Sequence, residues 1–279
     1  MKITEDVKNC VVFIAVKNDE GQLRFVATGF FVWLHVPEGG FLYLVTAKHV
    51  ATRLKGRQFL IRVNLKDGSS DFVEAESGSN WWYHPKDESV DVAVLSWSTT
   101  RIELVDYKCI PETMFLNDEI ISQQEIGIGD DVFITGLFAH LSGSKRNLPI
   151  VRTGNIAMMP DEKILTKQFG ESEAYLIEIR SIGGLSGSPA FVRPSNPNPM
   201  IIGQPSVYLL GLTSGHWEIP PERRNEFQTV EDDAIDKVNM GIAVVVPAKK
   251  IREVLYHPGL VKERSEQLKD YTTLRSKPA

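Results

Sequence analysis

The sequence predicts an all-β protein, a sandwich or a barrel. Three observations point there. Short apolar or alternating stretches rich in Val, Ile, Phe and Tyr recur along the chain, most of them four to eight residues long. Gly, Pro, Asn and Asp punctuate the intervals between them. Convincing helical periodicity is rare.

Taken in order, the expected strands are Val11–Val16, Phe30–Leu34, Leu42–Thr46, Phe59–Asn64 and Val92–Trp97, then Val132–Thr135, Ile150–Ile156, Ala174–Ile179, Ala190–Val192, Tyr208–Thr213 and Ile242–Val246. A stretch of weak periodicity, Cys109 to Gln124, is expected to join two β halves. One helix is expected from Ala248 to Tyr256. Pro247 stands at its first helical position, and Ile251, Val254 and Leu255 share one face. Ser142–Pro149, Arg193–Ser206 and Gly215–Val238 read as long loops. After Pro258 the chain is polar, and residues 259–279 are expected to form a C-terminal tail with a mobile end.

The chain has 279 residues, enough to bury roughly three-quarters of its unfolded surface in one large domain or two joined halves. With 42% hydrophobic and 24% charged residues, it belongs with ordinary globular proteins rather than disordered or fibrous ones. A net charge of −5 supplies no general field for nucleic acid, so no nucleic-acid partner is expected. Two cysteines, Cys10 and Cys109, exclude a disulfide-stapled scaffold and read as buried thiols. No run reaches the roughly 20 apolar residues of a membrane span, and the stretch after Glu5 and Asp6 lacks a signal-peptide pattern. The expected location is cytoplasmic, with no membrane partner.

Three segments carry chemistry. In Leu44-Val-Thr-Ala-Lys-His49-Val-Ala a histidine follows an apolar strand. In Ser89-Val-Asp91-Val-Ala-Val-Leu95 an acid stands at the mouth of another. In Ser181-Ile-Gly-Gly-Leu-Ser186-Gly-Ser-Pro189 a serine lies between glycines. Singly, each is a common turn or cap. Together they supply a nucleophile, a base to activate it, an acid to orient the base, and glycines that let backbone N–H groups converge on an oxyanion. The order His, Asp, Ser is one of three in which this triad is found.

Together these residues resemble the trypsin-like (chymotrypsin-fold) serine peptidases, closest in motif style to bacterial HtrA-type and single-domain members. Thr46-Ala-Lys-His49 is similar to their Thr-Ala-x-His block, and Asp91-Val-Ala-Val-Leu95 to their Asp-Ile-Ala-Leu-Leu block. Gly184-Leu-Ser186-Gly-Ser-Pro189 is similar to their Gly-Asn/Asp-Ser-Gly-Gly-Pro. Gly29-Phe-Phe-Val32, Gly211-Leu-Thr-Ser-Gly215 and the closing helix are weaker echoes, so the resemblance runs from about residue 10 to 257. Leu185 stands where digestive members carry an aspartate, so their zymogen switch is not expected. Ser188 replaces their second glycine, and no PDZ-like domain is expected.

The resemblance implies two packed six-stranded β-barrels with a C-terminal helix. The peptidase domain would span 1–258: an N-terminal barrel at about 10–120 with His49 and Asp91, a C-terminal barrel at about 125–246 with Ser186, and the closing helix at 247–257. It implies a serine endopeptidase acting through an acyl-enzyme, with the backbone of Gly184 and Ser186 as oxyanion hole. Arg180 and Ser181 would border the primary specificity pocket, and Thr213, Ser214, Gly215 and His216 would pair with substrate. Arg180, Ser181 and His216 would welcome an acidic side chain, unless Arg180 points to solvent. His84 is expected in an aromatic turn near the cleft; with His140 and His216 it forms no metal-binding spacing, and no cofactor is implied. The expected partners are a peptide or protein substrate and a protein activator or regulator. The alternatives are a catalytically weak or inactive module that binds a peptide or partner protein in the same cleft, or another serine acyl hydrolase; the triad order speaks against the latter. Within Gly215–Val238 seven acids face three bases, the composition of a solvated insertion or of a lid beside the site.

Overall fold

The computed structural model describes residues 3–37, 39–75, 80–98, 102–139, 141–166, 170–179, 184–195, 205–216 and 241–275. A short helix α1 (Glu5–Asn9) precedes strands β1 (Val11–Lys17), β2 (Leu23–Val36) and β3 (Gly39–Thr46). Helix α2 (Lys48–Leu54), β4 (Phe59–Asn64), β5 (Ser70–Ala75), β6 (Trp82–Tyr83), β7 (Ala93–Ser96) and β8 (Ile110–Pro111) complete the first half. A joining helix α3 (Asp118–Gln124) leads to β9 (Asp131–Gly136), β10 (Ile150–Met158), β11 (Ile164–Thr166), β12 (Gly170–Ser172), β13 (Tyr175–Glu178), β14 (Pro189–Arg193), β15 (Tyr208–His216) and β16 (Ile242–Pro247). Helices α4 (Ala248–Leu255) and α5 (Pro258–Arg275) close the described chain.

Every strand expected from the pattern is present, and the two halves are both β. The C-terminal half is a closed six-stranded barrel in the order β10-β13-β16-β15-β14-β9. The N-terminal half is an eight-stranded sheet, β5-β4-β1-β2-β3-β7-β6, with β8 parallel to β2. Its extra strands are short or half-buried, which is why their pattern was weak: β6 and β8 have two residues each, and only Ala75 of β5 is buried. Inward-facing Phe13, Phe30, Phe31, Leu44 and Ile61 fill the first half, and Ile134, Ile156, Ile177 and Val245 fill the barrel.

The expected helix is α4, with Ile251, Val254 and Leu255 fully buried. Burying each of those side chains contributes about 1.5–3 kcal/mol. Their cluster also takes in Phe133, Phe191, Leu209 and Leu212 from the C-terminal half and the sheet of the N-terminal half, so one apolar core underlies both.

The expected polar tail is corrected over residues 258–275, which form α5. Leu260 is fully buried, and one turn later Arg264, only 7% exposed, donates Nη1 to Tyr43 Oη (2.9 Å) and to the Leu255 carbonyl (2.7 Å). Its guanidinium lies over the rings of Tyr43 and Tyr256. An arginine carries part of the buried face, so an apolar periodicity search passes over it. The segment that joins the halves is likewise more ordered than its periodicity: Asn117 caps α3 by accepting from Ile120 N at 2.8 Å.

Candidate active site

Strands β3 and β7 pair antiparallel, Tyr43 opposite Ser96 and Thr46 opposite Ala93. The end of one and the start of the other therefore meet at one edge. His49 follows β3 by three residues, in the first turn of α2; Asp91 precedes β7 by two. Residues 42 apart in sequence are thus neighbours. His49 is 9% exposed and Asp91 1%.

A carboxylate so buried must be fully hydrogen-bonded. Asp91 Oδ1 accepts the backbone N–H of His49 at 2.8 Å, and Oδ2 lies 2.8 Å from His49 Nδ1. Oδ2 also accepts from the hydroxyl of Ser214 at 2.5 Å. A carboxylate oxygen only accepts, so the contact with Nδ1 assigns that nitrogen the proton and makes Nε2 the basic one.

The loop that presents Asp91 is itself braced. Asp87 Oδ1 accepts from Ser89 N (2.9 Å) and Ser89 Oγ (2.6 Å), and these bonds hold the Asp87 carboxyl below the usual range against the opposing effect of burial. Asp87 N donates to His84 Nδ1 at 2.8 Å, and His84 Nε2 lies 2.5 Å from Glu253 on α4. His84 therefore links this loop to the closing helix. Lys48 adds a bond to the Glu88 carbonyl at 2.8 Å.

The serine comes from the other half. Gly184 (φ +101°) and Gly187 (φ +83°) lie in the left-handed region that glycine adopts without strain, and between them they turn the chain so that Ser186 is half-buried at the mouth of β14. A Cβ on Gly187 would overlap the Thr28 carbonyl and the Thr46 hydroxyl. Leu185, the departure from the digestive pattern, is buried in the barrel core and anchors the turn. Ser188 N donates to the Leu185 carbonyl at 2.9 Å, closing the turn.

Strand β15 carries an irregularity at Ser214: Thr213 pairs with Val245 but Gly215 pairs with Val244. Such a bulge re-aims a side chain. Here the Ser214 hydroxyl faces Asp91, while its carbonyl accepts from Ser186 Oγ at 3.4 Å. His49, Asp91, Ser214 and Ser186 form one connected set. The link from Ser214 to Asp91 was not read from the sequence; the Thr213-Ser-Gly215 signal marked the strand but not the direction of its side chain.

Thr213 corrects an expectation. It was placed among substrate-pairing positions, yet its backbone serves the protein: Gly187 N donates to Thr213 O at 2.9 Å and Thr213 N to Ser188 O at 2.8 Å. Its side chain is fully buried. Thr213 fastens the serine turn to β15. Gly215 has open space where a Cβ would stand. The backbone of His216 pairs with Ala243 at the end of β15. Arg180, Ser181, His140, the side chain of His216 and residues 217–240, with nearly all of the acidic loop, lie outside the described residues. Among the described residues, no group of three His, Cys, Asp or Glu could hold a metal ion, and no helix is long and apolar enough to cross a membrane.

No family model matches the sequence, and no curated protein matches it. Solved structures do. Deg5 superimposes with a TM-score of 0.50 at 15% identity, over 89% of this chain and 88% of that one. Rv3671c from M. tuberculosis H37Rv, a serine-to-alanine mutant in its inactive form, gives 0.46 at 16% identity over 89% and 87%. With a closed barrel in one half, an eight-stranded sheet in the other and helices at the C-terminal end, the chain has the trypsin-like all-β fold that it shares with Deg5.

Proposed function

We propose that this chain is a serine endopeptidase that cleaves peptide bonds through an acyl-enzyme. The observation that carries the reading is the double contact of Asp91 with His49 beside a serine held between left-handed glycines. Ser186 Oγ attacks the scissile carbonyl carbon, and its proton passes to His49 Nε2. Asp91 holds the tautomer and stabilises the imidazolium as it forms. The N–H groups of Gly184 and Ser186 receive the oxyanion. The imidazolium then gives its proton to the leaving amine, the C–N bond breaks, and a water repeats the sequence on the acyl-serine.

For this the Ser186 hydroxyl turns from the Ser214 carbonyl toward His49. Catalytic hydrogen bonds are often long before substrate binds, and the 3.4 Å contact is weak enough to exchange. The half-exposed Ser214 and Gly215 line the approach to Ser186 and offer backbone to an extended peptide.

A fluorophosphonate probe, which phosphonylates an activated serine, tests the reading. Labelling of the wild type and none of Ser186→Ala supports it. A folded wild type that resists the probe overturns it in favour of a module that binds a peptide or partner protein in the cleft.

A further inference from the structure

We propose that Thr28 is a positioning residue that sets the serine turn against the half carrying the base. The inference rests on the function proposed above, and concerns how Ser186 and its oxyanion donors are held. Thr28 lies on β2, in the N-terminal sheet, and is fully buried. Each of its polar atoms is bonded across a segment boundary. Thr28 N donates to the Ser186 carbonyl at 3.1 Å, and Thr28 Oγ1 donates to the Gly184 carbonyl at 2.8 Å. The same hydroxyl accepts from Leu137 N, just past β9, at 2.9 Å. Its carbonyl accepts from Thr46 Oγ1 at 2.7 Å, three residues before His49.

The consequence follows from peptide planarity. The Ser186 N–H belongs to the peptide unit joining residues 185 and 186. Thr28 grips the carbonyl of the unit before it and the carbonyl of the unit after it. With both neighbours fixed, the central planar unit has little freedom to rotate. Its N–H direction, an oxyanion donor in the proposed mechanism, is therefore set by a residue of the opposite half. The bond from Thr46 ties the same residue to the strand that delivers His49. One threonine thus gauges the separation between base and nucleophile. It touches neither substrate nor reacting atoms, and acts only through the turn.

The hydroxyl is the testable part. Thr28→Val keeps the shape but leaves Gly184 O without its donor and Leu137 N without its acceptor, whereas Thr28→Ser restores both. Labelling by a fluorophosphonate is measured as a maximal rate and a half-saturating concentration, and hydrogen exchange is followed in the peptide containing residues 184–188. In Thr28→Val the maximal rate is expected to fall roughly 10- to 100-fold, with half-saturation changed less than about threefold, exchange of the turn accelerated, and Thr28→Ser within about threefold of wild type. Should Thr28→Val not fold, Thr28→Ala carries the same comparison. A folded variant lacking the hydroxyl that labels at the wild-type rate overturns the proposal, as does unchanged exchange at 184–188. A wild type that does not label at all overturns the peptidase reading instead, and exchange of the turn alone then decides the role of Thr28.

Discussion

The carboxylate of Asp91 holds His49 at two points, one oxygen on the backbone N–H and the other on imidazole Nδ1, each at 2.8 Å. A single contact would leave the imidazole free to swing about its side-chain torsions. Two contacts orient the main chain and the ring together, so the direction of Nε2 follows from the position of one buried acid. That acid is held in turn by the Asp87 turn behind it and by Ser214 in front.

Removing either member of the nucleophile–base pair is expected to abolish catalysis. Ser186→Ala or His49→Ala should each lower the rate by roughly four to six orders of magnitude with the circular dichroism spectrum unchanged. The double variant should be little worse than either, because the groups act as a unit. Losses that multiply would contradict the assigned roles.

The Ser214 hydroxyl makes a short bond to a buried charge, so its loss has a defined cost. Ser214→Ala is expected to lower kcat roughly 10-fold through the missing bond to Asp91, with KM changed far less. Steady-state kinetics on a cleavable peptide check this. A change confined to KM would place Ser214 in substrate binding alone.

Stability has an acid limb. Burial raises the Glu253 carboxyl, but bonds from His84 and Lys250 outweigh it and leave the group below its ordinary value of 4.5. An acid depressed in the folded state stabilises above its unfolded value, and that contribution is lost as pH falls through the folded one. The Tm of wild type should therefore exceed that of Glu253→Gln above about pH 5, and the gap should close as the pH falls below the carboxyl's ordinary value. A gap that persists at low pH would mean that the His84 contact is not electrostatic.

Arg62 straps a loop of the C-terminal half onto the N-terminal sheet. From β4 it donates to the carbonyls of Gly143 (2.7 Å) and Ser144 (3.0 Å), and Nε donates to Ser70 Oγ at 2.9 Å. Arg62→Met keeps much of the packing on Phe25 and Phe72 but strands those carbonyls. A cost of about 2 kcal/mol should lower Tm by roughly 3–4 °C and speed proteolytic nicking between residues 141 and 149. Unchanged melting and nicking would make the strap incidental.

The sequence by itself determined the strands, because a short apolar run bounded by turn residues is a local property: β1 and β4 are nearly continuous buried runs, and β13 alternates buried and less buried positions. It also determined which residues are candidates for chemistry: His49, Asp91 and Ser186 each stand in a short segment whose turn and apolar flanks are visible without the fold. α5 escaped because a buried arginine shares its inner face, and β5 because only one of its residues is buried. Only the tertiary structure decided what holds the candidates together. The bond from Ser214 to Asp91 spans 123 residues and that from Thr28 to Gly184 spans 156. Hydrogen bonds between residues so far apart leave no periodicity in either segment. They arise only when a bulge in one half and a strand of the other are brought against the same turn.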